Sequence, residues 1–343
     1  MRRGAAFDAP LHVLGQRVVG LGHVVSEMEK ALISIVVPCH NHGIYLSDAI
    51  ESVLKQEGFG NSIEVIVIND HSDDPDTLQK LSYWQAADPL VRVLDNPGRV
   101  GAATARNLGI AAASAEWIAF LDADDVWVPG GLAARWRVIQ GSEQVEWLGA
   151  DFNRWYEDGR CDAEGFFKTR SSTHDLLRAS FESGKVLRLT KPVREFLQMS
   201  FGWTSTIIAR KSLLLKAGGF EPKLGNYEDH HLWIRLARLA DFYFVPEVVT
   251  LYRQHANTVS RRDGPTSFWY ILAARMLWRD PGFRQYRPFI RRKLASLFEQ
   301  DMYYHRRQGE TRLAVVAAAQ ALFHRPACMK SWKNLLAAAI GRR

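Results

Sequence analysis

Between residues 32 and 121 the chain alternates short, mostly apolar, β-branched runs with amphipathic segments, and this alternation restricts the fold more than any other feature. Residues 32–37, closed by Pro38, read as a buried strand, and so do residues 64–68, 91–94 and 117–121. A run that is apolar at most positions, not at every second one, suits a strand covered on both faces, as in a parallel sheet. Between these runs, Leu46, Ile50, Val53 and Leu54 line one helical face, residues 76–86 read as a second helix, and the Ala-rich stretch 102–113 as a third. Short connections between such elements predict an α/β fold with a Rossmann-like, mostly parallel central sheet flanked by helices.

The polar residues fall where such a sheet binds ligands. His40 and Asn41 follow the first strand, Asp70 ends the second, and Asp122 and Asp124 follow the fourth. In open α/β sheets this strand edge forms a crevice into which helix N-termini point. The segment Phe120-Leu121-Asp122-Ala123-Asp124-Asp125 sets two carboxylates one residue apart on a tight loop, where both can face one hard cation. Mg²⁺ and Mn²⁺ take one or two protein carboxylates together with phosphate oxygens. Aspartates also cap helices and shape turns, and Asp125 is read as the structural member, turning the chain ahead of Pro129. Asp70 lies in a turn-rich stretch and is either a cap or an acceptor for a base or ribose. Residues 98–107 open a helix with glycines and place Arg106 one turn in, where it reaches a diphosphate, fixes Asp122 or forms a surface ion pair.

The chain has 343 residues, 47% hydrophobic and 24% charged, enough for one large domain or two smaller ones. Cys39, Cys161 and Cys328 form no metal-ligand spacing and no disulfide framework, which points to a reducing cytosolic compartment. The net charge of +7 is uneven: residues 261–343 hold 17 Lys or Arg against 5 Asp or Glu. That distribution argues against a catalytic domain built for nucleic acid and places the positive charge on a C-terminal module. No apolar run approaches the roughly 18–20 residues of a membrane span. Residues 1–30 read as a leader. Their Val18–Val25 stretch imitates a dinucleotide-binding turn but lacks the third glycine.

The second half is less regular and rich in aromatics. Residues 204–208 read as a strand, 212–217 as a short helix closed by Gly218-Gly219, and 228–240 as a helix with Leu232, Leu236 and Leu239 on one face. Beyond residue 265 the pattern is helical to the end. Asn226 and Asp229, three apart before an apolar face, have the spacing of a helix cap. His230 and His231 are adjacent and make a poor metal pair on a helix. Trp203 stacks on a sugar ring or fills the core.

The blocks Ile35–Asn41, Val67–Ser72, Gly101–Asn107 and Phe120–Asp125 resemble, in order and spacing, those of family-2 glycosyltransferases with the GT-A fold. The resemblance covers residues 33–130 and implies a UDP- or other nucleotide-sugar donor, a divalent metal (Mn²⁺ or Mg²⁺) and inversion at the anomeric carbon. By position it implies that Pro38, His40 and Asn41 line the nucleotide pocket, with His40 standing where the family more often has Tyr. It further implies that Asp70 contacts uracil or ribose, that Arg106 lies near the pyrophosphate, that Asp122 contacts ribose or metal, and that Asp124 is the main metal ligand. Asp229 in Gly225–Trp233 then becomes the general base, with Glu228 as understudy, and His255 in Leu251–Ser260 a metal or phosphate contact. The implied domains are a GT-A domain over 31–262, nucleotide-binding to about 130 and acceptor-binding beyond, and a basic helical extension over 263–343. The expected acceptor is a glycan or lipid-linked saccharide.

Two alternatives remain open on the sequence, a sugar nucleotidyltransferase and a non-catalytic nucleotide- or glycan-binding scaffold. The first expects a Gly-rich, Lys- or Arg-bearing loop after the first strand, where residues 38–45 have one glycine and no Lys or Arg. The second sits poorly with Asp70, Asp122, Asp124 and Asp229 together. The C-terminal helices are expected to dock peripherally on an anionic membrane, to pack on the catalytic domain, or to form a dimer interface.

Overall fold

The computed structural model describes residues 31–255 and 267–339. The leader at 1–30 and residues 256–260 of the last family-like block lie outside them. Strands β1 (Ile33–Cys39), β2 (Ile63–Asn69), β3 (Val91–Asp95) and β4 (Trp117–Phe120) are joined by helices α1 (Gly43–Leu54), α2 (Pro75–Ala87) and α3 (Ala102–Ala112). These strands pair in parallel in the order β3-β2-β1-β4, with Val36 facing Ile66 on one side and Phe120 on the other.

These strands are largely apolar on both faces for a reason visible in β1. Ile35 and Val37 pack with Leu46, Ile50 and Val53 of α1, whereas Val36 joins Ala103, Ile110 and Phe120 on the opposite face. The strand does not stop at Pro38 as expected but runs on to Cys39. Pro38 lies past Val36, the last residue of β1 that β4 pairs with, so its missing N–H removes no ladder bond.

The sheet continues through β5 (Val126–Trp127), helix α4 (Gly131–Gln140), β6 (Trp147–Tyr156), α5 (Phe166–Thr169), α6 (Ser171–Ser183), β7 (Leu187–Leu189) and α7 (Val193–Gln198). After these come β8 (Ile208–Arg210), α8 (Lys211–Lys216), α9 (Glu228–Leu239) and β9 (Phe242–Gln254). The order is β3-β2-β1-β4-β8-β6-β9-β5, with β7 also on β9. Strand β8 enters antiparallel to β4, so the half beyond β4 is mixed while the first half is parallel.

Residues 204–208, expected as one strand, instead form a 3₁₀ turn at Thr204–Thr206 before β8. Hydroxyl groups explain the change. Thr206 Oγ1 donates to the Trp203 carbonyl at 2.8 Å and Ser205 Oγ to Asp125 at 2.5 Å, so these side chains favour a turn over an extended ladder.

Four helices follow: α10 (Ser267–Arg279), α11 (Arg287–Arg307), α12 (Thr311–His324) and α13 (Met329–Ala339). Of the expected placements, packing on the sheet domain is realised by α10 and α11. Ile271, Leu277, Ile290, Leu294 and Phe298 belong to the same core cluster as Phe120 and Trp233. A smaller cluster of Met302, Ala314, Ala317, Ala318 and Ala338 binds α11, α12 and α13 to one another.

Helix α3 approaches β1 closely because Gly109 has no side chain. A Cβ there would stand 2.3 Å from Val36 Cγ1. Alanine normally favours a helix interior by about 1 kcal/mol over glycine. Overpacking a core costs about 1–3 kcal/mol. We expect Gly109→Ala to lower stability in urea denaturation; a gain would mean that α3 can move off the sheet.

Candidate active site

The loop after β4 gathers the acidic residues, and each finds a different partner. Asp122 Oδ1 accepts from Arg106 Nη2 at 2.7 Å, and its backbone N–H donates to Ser205 Oγ at 3.2 Å. Arg106, on α3 and only 4% exposed, spends its other terminal nitrogen on Glu228 Oε1 at 2.7 Å, in the first turn of α9. Burial opposes the guanidinium charge, but Asp122 and Glu228 outweigh it and raise its pKa. Of the options open on the sequence, the structure places Arg106 on Asp122, and adds Glu228 as a second partner. Burial raises the Asp122 pKa despite Arg106, and Asp124 adds to the effect.

Asp124 points elsewhere. Its Oδ2 lies 2.9 Å from His255 Nε2, just past β9. One ligand atom each from His42, Asp124 and His255 lies within 4.8 Å of the others. Burial pushes the Asp124 carboxyl up, and the hydrogen bond from His255 with the nearby His42 pulls it down further, so the net shift is downward. A carboxylate that stays ionised beside two imidazoles is a donor set that fits a divalent cation. The expected partner Asp122 is not in this group, and His42, which sequence reasoning missed, is. The available signal was a third polar residue in the loop after the first strand.

Asp125 is structural, as expected. It is fully buried, with Ser205 Oγ on Oδ2 at 2.5 Å and the Arg253 N–H on Oδ1 at 3.2 Å. Burial, followed by the charges of Asp124 and Asp122, drives its pKa well above the ordinary carboxylate range. Arg253 braces the loop rather than reaching out: Nε donates to the Asp124 carbonyl at 2.9 Å and Nη2 to Asp48 at 2.8 Å, over the Trp155 and Tyr45 rings.

On the first two loops, protein partners engage the expected nucleotide residues. Asp70 is 4% exposed and accepts from Asn96 Nδ2 at 2.7 Å and the Gly101 N–H at 2.8 Å. His40 Nδ1 lies 2.8 Å from the Asp70 carbonyl. Asn41, at φ 54°, bonds the Asp73 carboxylate and the N–H groups of Asp73 and Asp74, knitting the loop after β1 to the loop after β2. Pro38 lies in β1 between them and the sheet.

Across the crevice, α9 starts without the cap its spacing suggested. Tyr227 at φ 68° is the capping residue and offers no side-chain bond, while Asn226 Oδ1 accepts the Tyr227 N–H. Asp229 accepts from Thr204 Oγ1 on Oδ2 at 2.9 Å and from the His230 N–H on Oδ1 at 2.6 Å. Burial first, then Glu228, pushes its pKa up to about 6, against Arg106. Thr204 is a second residue the sequence did not reveal. His230 and His231 are buried, with pKa values lowered to about 3 by desolvation, and they belong to the core. Trp203 packs on Phe152 and Tyr252 at 4.9 and 4.2 Å between ring centres, and its indole N–H has no partner among the described residues.

Comparison with known proteins places the chain in one family. The profile described as glycosyl transferase family 2 matches residues 34–184. Glycosyltransferase GlyG of Streptococcus pneumoniae serotype 4 is 34% identical over 236 residues, 68% of this chain and 74% of that one. WfgD of Escherichia coli, a UDP-Glc:alpha-D-GlcNAc-diphosphoundecaprenol beta-1,3-glucosyltransferase, is 38% identical over 105 residues, 31% of this chain and 40% of its own length. Residues 1–349 of S. aureus TarS, solved with UDP-GlcNAc, superpose with a TM-score of 0.59 at 17% identity, covering 90% of each chain. That likeness establishes a shared fold.

Replacing Arg106 separates its two expected roles. A lysine keeps the charge but has no planar fork to hold both carboxylates. Arg106→Lys is expected to lower unfolding stability by roughly 1–3 kcal/mol while UDP affinity holds. A loss of UDP affinity of about tenfold or more, ~1.4 kcal/mol, at unchanged stability would return Arg106 to the diphosphate.

Proposed function

The chain belongs to glycosyltransferase family 2 and uses a nucleotide-sugar donor, and from that premise we propose an inverting transfer from a UDP-sugar to a hydroxyl of a glycan or lipid-linked saccharide, with Asp229 as general base. Family membership removes the nucleotidyltransferase and non-catalytic alternatives. The observation that carries the proposal is the Arg106 bridge, which fixes the donor-side Asp122 against the first turn of the helix bearing Asp229.

In an inverting displacement the acceptor hydroxyl attacks opposite the leaving diphosphate, and a carboxylate must take its proton. Asp229 suits the task. At a pKa of about 6 it is ionised at neutral pH, yet it is a stronger base than a solvated aspartate. Thr204 and the His230 N–H orient the two oxygens, and Glu228, engaged by Arg106, stands beside it as the secondary candidate. Asp124 and His255 are the residues that would hold Mn²⁺ or Mg²⁺, which when bound stabilises charge on the departing phosphate oxygens. Asp122 is assigned to the donor ribose. Pro38, His40, Asn41 and Asp70 form the nucleotide side, with residues 31–130 as the donor half, about 131–262 as the acceptor half and the remainder as a helical extension.

No helix among the described residues is long and apolar enough to cross a membrane. We assign peripheral contact at the cytosolic face to α12 and α13. Leu313, Val316 and Phe323 on α12 (i, i+3, i+10) and Met329, Trp332 and Leu336 on α13 (i, i+3, i+7) are exposed, beside exposed Arg312, Lys330 and Lys333. A lipid-linked acceptor of the kind named for WfgD would lie at such a surface.

Nucleoside-diphosphate release from a donor panel, with and without Mn²⁺ or Mg²⁺, tests the activity. Asp229→Asn is expected to lower kcat by roughly 10²–10⁴-fold with UDP binding retained; full activity removes the base. Since the protonated carboxyl is inactive, kcat/KM falls as pH drops through about 6. Thr204→Val deletes a hydrogen bond to the charged form and moves that inflection upward. Flotation with anionic vesicles tests the helices: Phe323→Glu with Trp332→Glu is expected to abolish it, and wild-type protein that fails to float overturns the assignment.

A further inference from the structure

We infer that His42 is a third metal ligand in this chain, and that the resulting two-imidazole, one-carboxylate set selects Mn²⁺, Co²⁺ or Zn²⁺ over Mg²⁺. The inference rests on the proposed cation at Asp124 and names which cations that site accepts.

Three separate segments deliver the donors. His42 caps α1, where its carbonyl receives the N–H groups of Tyr45 and Leu46 at 3.0 Å each, so its backbone is anchored. Asp124 sits in the loop that Asp125 and Arg253 hold rigid. His255 follows β9, its ring 5.8 Å from that of His42, edge to face, and 4.9 Å from that of Tyr45. The ligand atoms of the three fall within 4.8 Å of one another. Meanwhile Asp122, the other half of the acidic pair, is turned onto Arg106. What remains is one hard oxygen donor and two borderline nitrogen donors.

That composition decides between cations. Mg²⁺ requires oxygen ligands in near-ideal geometry and gives up its waters reluctantly. Imidazole is a poor substitute for water at such an ion, whereas later divalent ions of the first transition row bind it well, with affinity rising from Mn²⁺ towards Zn²⁺. Three protein donors also leave coordination positions for diphosphate oxygens, so UDP belongs in any binding measurement. A rival account has the three side chains serve only as a hydrogen-bonded brace for the Asp124 loop, without a cation.

Electron paramagnetic resonance of Mn²⁺ with the full chain and UDP discriminates these accounts, because bound Mn²⁺ loses the signal of the free ion. We expect Mn²⁺ to bind at least about tenfold more tightly than Mg²⁺ in competition. His42→Ala should weaken Mn²⁺ about tenfold or more and leave Mg²⁺ nearly unchanged, collapsing the ratio. Electron spin echo envelope modulation supplies a direct readout. Nitrogen modulation that persists in His255→Ala must come from His42, which keeps the proposal testable if His42→Ala does not fold. Unchanged Mn²⁺ affinity in His42→Ala, with binding lost in Asp124→Asn, overturns the role of His42 and leaves the metal reading standing. Wild-type protein that binds no Mn²⁺, or an Asp124→Asn variant that binds it equally, overturns the metal reading itself.

Discussion

A buried carboxyl group, Asp125, holds the two halves of the crevice in register. It ties the loop after β4 to the Ser205 turn before β8 and to Arg253 in β9, reaching 80 and 128 residues along the chain. The Ser205 hydroxyl that donates to Asp125 also receives the Asp122 N–H, and its carbonyl receives Trp127 Nε1 and Thr250 Oγ1. The adjacent Thr204 holds Asp229. One 3₁₀ turn thus carries the loop after β4 on one residue and Asp229 on the next. Desolvating a carboxyl is costly unless its oxygens are met by donors, and both oxygens of Asp125 are.

The same loop shows how partners, not sequence position, set protonation. Asp122, Asp124 and Asp125 lie within four residues; Asp122 feels Asp124 as a like charge, and Asp125 feels both. All three are buried enough for desolvation to favour the neutral form. Only for Asp124 is that outweighed, because two imidazoles face it. Asp122 has Arg106, but shares it with Glu228. Asp125 has neutral donors only, and burial holds its pKa well above the ordinary carboxylate range. A site that needs one dependable anionic ligand can therefore draw it from a cluster that would otherwise repel itself.

What the sequence made legible follows from the range of the forces involved. The four parallel strands announced themselves because burial on both faces favours apolar residues at most positions. The sheet-edge positions of Asp70, Asp122 and Asp124 were legible because strand ends are visible in the same pattern, and Asp125 was read as structural from its place before Pro129. Residues 204–206 were misread because β-branched and hydroxyl side chains look like a strand until Asp125, far away in sequence, supplies the partner. Glu228 as a partner for Arg106 lies 122 residues off. His42 shows in the sequence only as a third polar residue in the loop after the first strand, and it becomes a candidate ligand only when Asp124 and His255 fold against it. Periodicity reports which face a residue occupies and is silent on which distant residue it meets there.

The C-terminal helices change meaning in the same way. Read as sequence they are a basic appendage, yet α10 packs over the start of the helix that bears Asp229. Tyr270 meets Tyr227 at 4.1 Å, edge to face, and Trp269 lies so near Gly225 that a Cβ there would stand 2.8 Å from its ring. Glycine at 225 is therefore required by the extension rather than by the turn itself. The contact continues inward, since Ile271, Leu294, Phe298 and Ala321 share a cluster with Trp233 and Leu236 of α9. The extension and the helix that bears Asp229 are joined by packed side chains, and close packing leaves little free volume between them. The helices that carry the positive charge are thus part of the wall behind Asp229, and their packing helps to set where the start of α9 lies.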